Sequence, residues 1–360
     1  MKKNEVNKLI RQSIDPKIRR VLVDMLTYLS NKGFDVKKEI PRLNNADYLL
    51  LDNKNSNLPR IITYRYSYKE ITEEISINRT NIGGFYRPLY VIDKKTNEII
   101  FVKDLVVVIS NLNEKFLVQK IIHELLHLIS AVTIEKVNDE IYIHKTGVVN
   151  YKYKLKDGEM FTLYFKGESY LNEGMTEAIK EYLFNEIYYK KMKLKYKLEK
   201  TESKDKYISS YYLITHLIKT MDLGFEKENN IDVMLDIYLN NKTEKIYKKM
   251  MDMYGLSKKE VINIFLTYEL LLEKYCFGQY SNEDIAAIFE DRIYPFYLNI
   301  IDASINKIRI KYYKNSNKEK MKEELELYKE KIIELFSCLI FNIAKRDVTR
   351  YINEKIKVLV

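Results

Sequence analysis

Apolar residues Ile18, Val21, Leu22, Met25, Leu26 and Leu29 recur at helical spacing and predict an amphipathic helix with clear ends. Asp15 supplies a cap, Pro16 suits the first helical position, and Gly33 provides a left-handed exit. Residues 34–76 change character: the short apolar runs Tyr48–Leu51 and Ile61–Tyr64 stand among Asn, Asp and Pro, which predicts strands joined by turns. Phe85–Ile92 and Ile99–Val108 form two further strands around the polar turn Asp93–Glu98. A long helix follows over Asn113–Ala131, with Phe116, Leu117, Ile121, Leu125, Leu128 and Ile129 as its apolar set. Strand character returns at Ile141–Ile143, Val148–Leu155 and Met160–Phe165, with a Lys156-Asp157-Gly158 turn. A second core helix is expected over Asn172–Tyr189.

Lys190–Tyr207 is the most charged stretch and reads as an exposed boundary segment. Everything beyond it reads as helical. Ser257 and Ser281 each stand three residues before an acidic side chain, Glu260 and Asp284, the pattern of a capping box. A last helix is expected over Lys318–Lys345, with Met321, Leu325, Leu327, Ile332, Ile333, Leu335 and Phe336 on its apolar side. The 360 residues thus divide into an α+β leading region (1–80), a central core (81–204) and an α-helical C-terminal lobe (205–360).

Composition narrows the function classes. With 46% hydrophobic and 31% charged residues the chain is globular rather than disordered. The net charge of +10 is spread along the chain. No C-x-x-C finger, Gly-rich phosphate loop or basic recognition helix accompanies it, so a nucleic-acid partner is not expected. Cys276 and Cys338 match no metal spacing and are read as core residues. The N-terminal stretch lacks an apolar signal segment, and no uncharged apolar run reaches membrane-spanning length; a cytoplasmic location without a membrane span is the expectation.

Two of the four histidines stand in His123-Glu124-Leu125-Leu126-His127, inside the long helix. A spacing of four places both imidazoles on one helix face, where they can share a zinc ion. Glu124, one residue past the first histidine, reaches a water at that metal without binding the metal itself and suits a general base. Catalytic zinc takes three protein ligands. Leu171-Asn172-Glu173-Gly174-Met175-Thr176-Glu177 offers Glu173 as the third and, one turn later on the same face, Glu177 to accept a hydrogen bond from the free ring nitrogen of His123.

A His-Glu-x-x-His motif followed by a second helix carrying Asn-Glu-Gly resembles the gluzincin group of zinc metallopeptidases, over about residues 80–190. The resemblance implies a zincin-like α+β core that cleaves a peptide or protein substrate. It implies His123, His127 and Glu173 as Zn2+ ligands and Glu124 as the base that takes a proton from water and passes it to the leaving amine. Thermolysin-like members usually carry Asp four residues after the third ligand, where this chain has Glu177. Such enzymes hold substrate along an edge strand, for which Phe85–Val91 and Ile100–Val107 are both candidates. His144 lies where such enzymes build a site wall. Tyr170, Tyr211, Tyr212 and His216 are candidates for stabilising the oxyanion, with His216 preferred. The rival reading is a catalytically inactive, regulatory zincin-like protein that acts by binding other proteins; retention of Glu124 argues against it.

Overall fold

The computed structural model describes residues 1–52, 60–66, 69–75, 84–93, 95–110, 114–132, 134–157, 159–163, 166–189, 230–254, 257–263, 283, 287, 291, 294–313, 317–335 and 345–359. It is a mixed α+β fold with a helical C-terminal region. The chain divides into two compact units. The first comprises Met1–Tyr164, Thr176–Glu202 and Leu235–Asn241; the second comprises Phe165–Met175, Ser203–Met234 and Lys242–Val360.

The first unit opens with a short helix, α1 (Lys3–Leu9), followed by α2 (Pro16–Asn31). Asp15 caps α2 by accepting hydrogen bonds from the backbone N–H groups of Lys17 and Ile18. Gly33 leaves the helix at φ +91°, a conformation in which a Cβ would be strained. The expected face of α2 is buried, joined by Val23. Helix α1 and a second short helix, α3 (Ile40–Asn45), lie outside the sequence-based expectation because six or seven residues give too little periodicity to register.

Three strands form the sheet that positions the site: β1 (Asp47–Asp52), β4 (Gly84–Asp93) and β5 (Glu98–Ser110), in the order β1-β5-β4. A separate antiparallel pair, β2 (Arg60–Tyr66) and β3 (Lys69–Ile75), intervenes in sequence. Strand β5 runs parallel to β1 and antiparallel to β4. The two substrate-strand candidates therefore differ: β5 is paired on both sides, and β4 is an edge among the described residues. The sequence agrees with this placement. Leu105–Ile109 is unbroken apolar, as in a strand covered on both faces, whereas β4 contains Pro88, which lacks a ladder donor. Leu105, Val107 and Ile109 cluster with Leu89 on one sheet face. By the two-residue alternation of strands, Asp104, Val106 and Val108 point to the other, and the register puts Gly84 and Tyr86 of β4 with them.

Helix α4 (Glu114–Ser130) packs against both β4 and β5. It is buried almost all round, with a partly open stripe of Phe116, Lys120 and His123 at i, i+4 and i+7. Phe116 therefore departs from the expected core set: it is 37% exposed. An antiparallel sheet follows, made of β6 (Glu135–Lys136), β7 (Ile141–Thr146), β8 (Val149–Lys156) and β9 (Glu159–Leu163). Helix α5 spans Lys166–Phe184 and continues as a π-helical turn over Asn185–Tyr189. It starts six residues before the expected Asn172, because Lys166-Gly167-Glu168-Ser169 carries no apolar periodicity to mark a helix start. Helix α6 (Asn230–Leu239) follows.

The described remainder of the second unit is helical: α7 (Thr243–Tyr254), a turn of helix from Lys258, α8 (Tyr294–Tyr313), α9 (Lys318–Leu335) and α10 (Lys345–Leu359). The Ser257 capping box is formed, with Ser257 N–H donating to Glu260 and Glu260 N–H to Ser257 Oγ. Helices α8, α9 and α10 pack pairwise, and Ile301, Ile305, Met321, Leu325, Val348 and Ile352 on them are buried. Of the helix expected over Lys318–Lys345, the described part is α9, Lys318–Leu335; residues 336–344 lie outside the described residues, and α10 starts the next described stretch at Lys345. Leu327 is exposed rather than on the packed side, which follows Met321 and Leu325. The Ser281 box, Cys276, Cys338 and Lys190–Tyr207 lie outside the described residues. No described helix is long and apolar enough to cross a membrane.

Candidate metal centre

Helix geometry alone brings His123 and His127 together, and packing then fixes what each ring does. Their Nε2 atoms face each other at 3.2 Å. Two ligands about 2.0–2.1 Å from a tetrahedral metal stand about 3.3 Å apart, so the pair has the spacing that such an ion requires. Without a metal, one proton lies between two imidazole nitrogens at this distance; His123, facing the Glu177 carboxylate, can hold it while His127 Nε2 accepts. The carboxylate of Glu124 completes the group: donor atoms of His123, Glu124 and His127 all lie within 4.8 Å of one another. Glu124 is only 5% exposed and His127 7%, whereas His123 opens toward the partly accessible stripe of α4.

The outward nitrogens of both rings are held. His123 Nδ1 lies 2.7 Å from Glu177 Oε1 on α5, and the other oxygen of Glu177 meets the buried Lys180 ammonium one turn on. Burial alone would push the Glu177 carboxyl up, but the hydrogen bond and charge of His123, with Lys180, outweigh it and hold Glu177 below the usual glutamate value. An ionised carboxylate makes His123 Nδ1 the protonated nitrogen and leaves Nε2 as the lone-pair donor. His127 Nδ1 lies 3.4 Å from the hydroxyl of Tyr238 on α6. Next along α5 from this shell, Gln119 of α4 donates to Glu181 at 3.1 Å.

The sheet side of α4 carries a second buried polar group. Tyr86 donates to Asp104 at 2.8 Å, and its oxygen stands 3.3 Å from Nε2 of His144. Arg42 reaches Asp104 at 3.5 Å and donates to the carbonyl of Leu128 at 2.5 Å, near the negative end of α4. The Tyr86 ring stacks on His127 with centroids 6.5 Å apart. Burial and the Asp104 carboxylate push the Tyr86 phenol well above its ordinary value, and burial raises Asp104 against the opposing pull of Arg42. Thr146 and Ser130 hydroxyls both donate to the carbonyl of His127, at 3.0 and 3.1 Å.

Gly84 at the start of β4 explains how the edge strand approaches so closely. A Cβ there would fall 2.5 Å from the carbonyl oxygen of Val107 and 3.0 Å from Glu124 Cγ and Oε1. Only glycine fits between the strand and the carboxylate without displacing backbone.

The sequence-based candidates divide accordingly. His123, Glu124 and His127 converge, and Glu177 meets His123. Glu173 is half-buried on α5, one turn before Glu177, and is not part of the three-residue donor group. Because α5 starts at Lys166, Glu173 stands in the helix interior, not at its start. His144 is 1% exposed and belongs with Tyr86 and Tyr151 in the sheet-side group. Burial, then the Arg42 guanidinium, lowers its pKa from 6.5 to about 4 and keeps it neutral. His216, Tyr211 and Tyr212 lie outside the described residues, as does the side chain of Tyr170. The sequence reading missed Arg42, Gly84, Tyr86, Asp104, Lys180 and Tyr238. None belongs to a local motif, although Gly84 carried a signal as a glycine entering a strand. In comparisons with known proteins, the chain matches no protein-family model, no curated protein and no solved structure.

Proposed function

We propose that this chain is a zinc-dependent peptidase of gluzincin type. The observation that carries the reading is the convergence of His123, Glu124 and His127 within 4.8 Å, with the two Nε2 atoms at metal-ligand spacing. In this reading His123, His127 and Glu173 hold Zn2+. Zinc bound there supplies an acidified water and an electrophile that polarises the scissile carbonyl. Glu124 acts as the base, taking a proton from water at its carboxylate and passing it to the departing amine nitrogen. Glu177 keeps His123 in the ligating tautomer, and Lys180 keeps Glu177 ionised. The substrate is a peptide or protein, lying along the edge strand β4, which Gly84 lets approach Glu124 closely.

The test is metal content by elemental mass spectrometry on wild type, His123→Ala, Glu173→Ala and Glu124→Gln, with a peptide-library cleavage assay in parallel. About one zinc per chain in wild type and Glu124→Gln, its loss in the two ligand variants, and cleavage by wild type alone are expected. Folded wild-type protein that takes up no zinc would end this reading. Full occupancy with Glu173→Ala would remove Glu173 from the ligand set.

A further inference from the structure

His127 must present the lone pair of Nε2 toward His123, so a neutral His127 carries its proton on Nδ1. That proton needs an acceptor, because the ring is buried and a donor left unpaired there is costly. The acceptor is supplied from far away in sequence. Tyr238 of α6, fully buried, brings its hydroxyl to 3.4 Å from His127 Nδ1 and to 2.6 Å from the Oγ1 of Thr176, itself fully buried on α5. One hydroxyl has one proton to give. With the Tyr238 oxygen accepting from Nδ1–H, its own proton points to Thr176, and the chain of donors runs one way, from His127 through Tyr238 to Thr176.

We propose that Tyr238, aligned by Thr176, is a positioning residue that fixes His127 in the Nδ1–H tautomer and so readies its Nε2 for the metal. The proposal rests on the metal-site reading above. It assigns His127 a neutral hydroxyl partner where His123 has the Glu177 carboxylate. The two ligands are therefore tuned differently: the carboxylate strengthens His123 as a donor, and the phenol orients His127 without adding charge. It also gives α6, which follows the motif by more than a hundred residues, a part in the centre that α4 and α5 build.

Two measurements on the full chain test it: zinc affinity by chelator competition, and nitrogen-15 NMR of histidine-labelled, metal-free protein, which reads the tautomer of His127. Relative to wild type, Tyr238→Phe is expected to bind zinc roughly tenfold more weakly and to show a mixture of His127 tautomers, and Thr176→Val to shift both in the same direction by less. A merely structural tyrosine would leave the tautomer unmoved. If wild type binds zinc, His127→Ala loses it, and Tyr238→Phe keeps both wild-type affinity and the Nδ1–H tautomer, the proposal is overturned while the metal site stands. If wild type binds no zinc, the metal-site reading fails, and a wild-type tautomer insensitive to Tyr238→Phe overturns this proposal as well. Should Tyr238→Phe fail to fold, Thr176→Val decides, since an unchanged tautomer there contradicts the directed chain.

Discussion

The two flanks of α4 are both buried and both polar, yet they hold different parts of the same helix. On the side of α5 and α6, Glu177 and Tyr238 meet ring nitrogens of His123 and His127. On the sheet side, Arg42, Thr146 and Tyr86 meet a helix carbonyl, another carbonyl and a ring face. The first flank controls which nitrogen of each ring is a lone-pair donor; the second controls where the helix stands. Changes on the first flank should therefore appear in metal affinity and changes on the second in stability.

The strongest test of that division is Arg42→Met. Removing the cation strands Asp104 in a buried setting and takes a donor from the Leu128 carbonyl, so a loss of about 3–5 kcal/mol is expected by chemical denaturation. Zinc binding by the folded fraction should persist; its disappearance would merge the two flanks into one functional unit.

Acid provides the next test, again on the sheet side. His144 titrates near 4 when folded and near 6.5 when unfolded, so the unfolded chain takes up the proton first. Its contribution to stability is complete above 6.5 and falls by about 1.4 kcal/mol per pH unit as pH drops toward 4. Denaturation of metal-free protein at pH 7, 6 and 5 should show this slope, and His144→Gln should flatten it. Equal slopes in the two proteins would mean that His144 is not held neutral.

On the other flank, Glu177→Gln, made together with Lys180→Met so that no buried ammonium loses its counter-ion, retains an acceptor for His123 but loses the charge, and zinc affinity should fall about tenfold, or ~1.4 kcal/mol, with little change in the unfolding midpoint. The reverse pattern, intact affinity with lost stability, would move Glu177 to the structural flank. A similar effect, on stability instead of affinity, is expected from Tyr86→Phe, which keeps the ring against His127 and removes only the hydroxyl shared by Asp104 and His144. A stability loss of about 1–2 kcal/mol with unchanged zinc affinity is predicted from parallel melting and chelator titrations.

How far the site was legible depended on whether a contact is made within one helix. His123, Glu124 and His127 were readable because 3.6 residues per turn fixes their neighbourhood wherever α4 lies. Glu177 was readable as a partner of His123 only by supposing that a second helix packs beside the first. The choice of edge strand stayed open although Pro88 and the apolar run Leu105–Ile109 bore on it, because strand order is a property of the sheet and not of either strand. The early start of α5 was missed where polar residues obscure the periodicity that marks an element.

The sequence by itself determined the local geometry of this protein: the capped helix α2, the β4–β5 hairpin, and two imidazoles and a carboxylate presented within a single turn of α4. Tertiary structure alone decided that Tyr86 would stack on His127 and Tyr238 reach its Nδ1, that Arg42 and Asp104 would join a sheet to the end of that helix, and that Gly84 would lie against Glu124. The reason is range. Backbone periodicity acts over a few residues and leaves its mark in spacing, whereas a hydrogen bond between residues 111 positions apart leaves no local pattern and exists only once the core has packed.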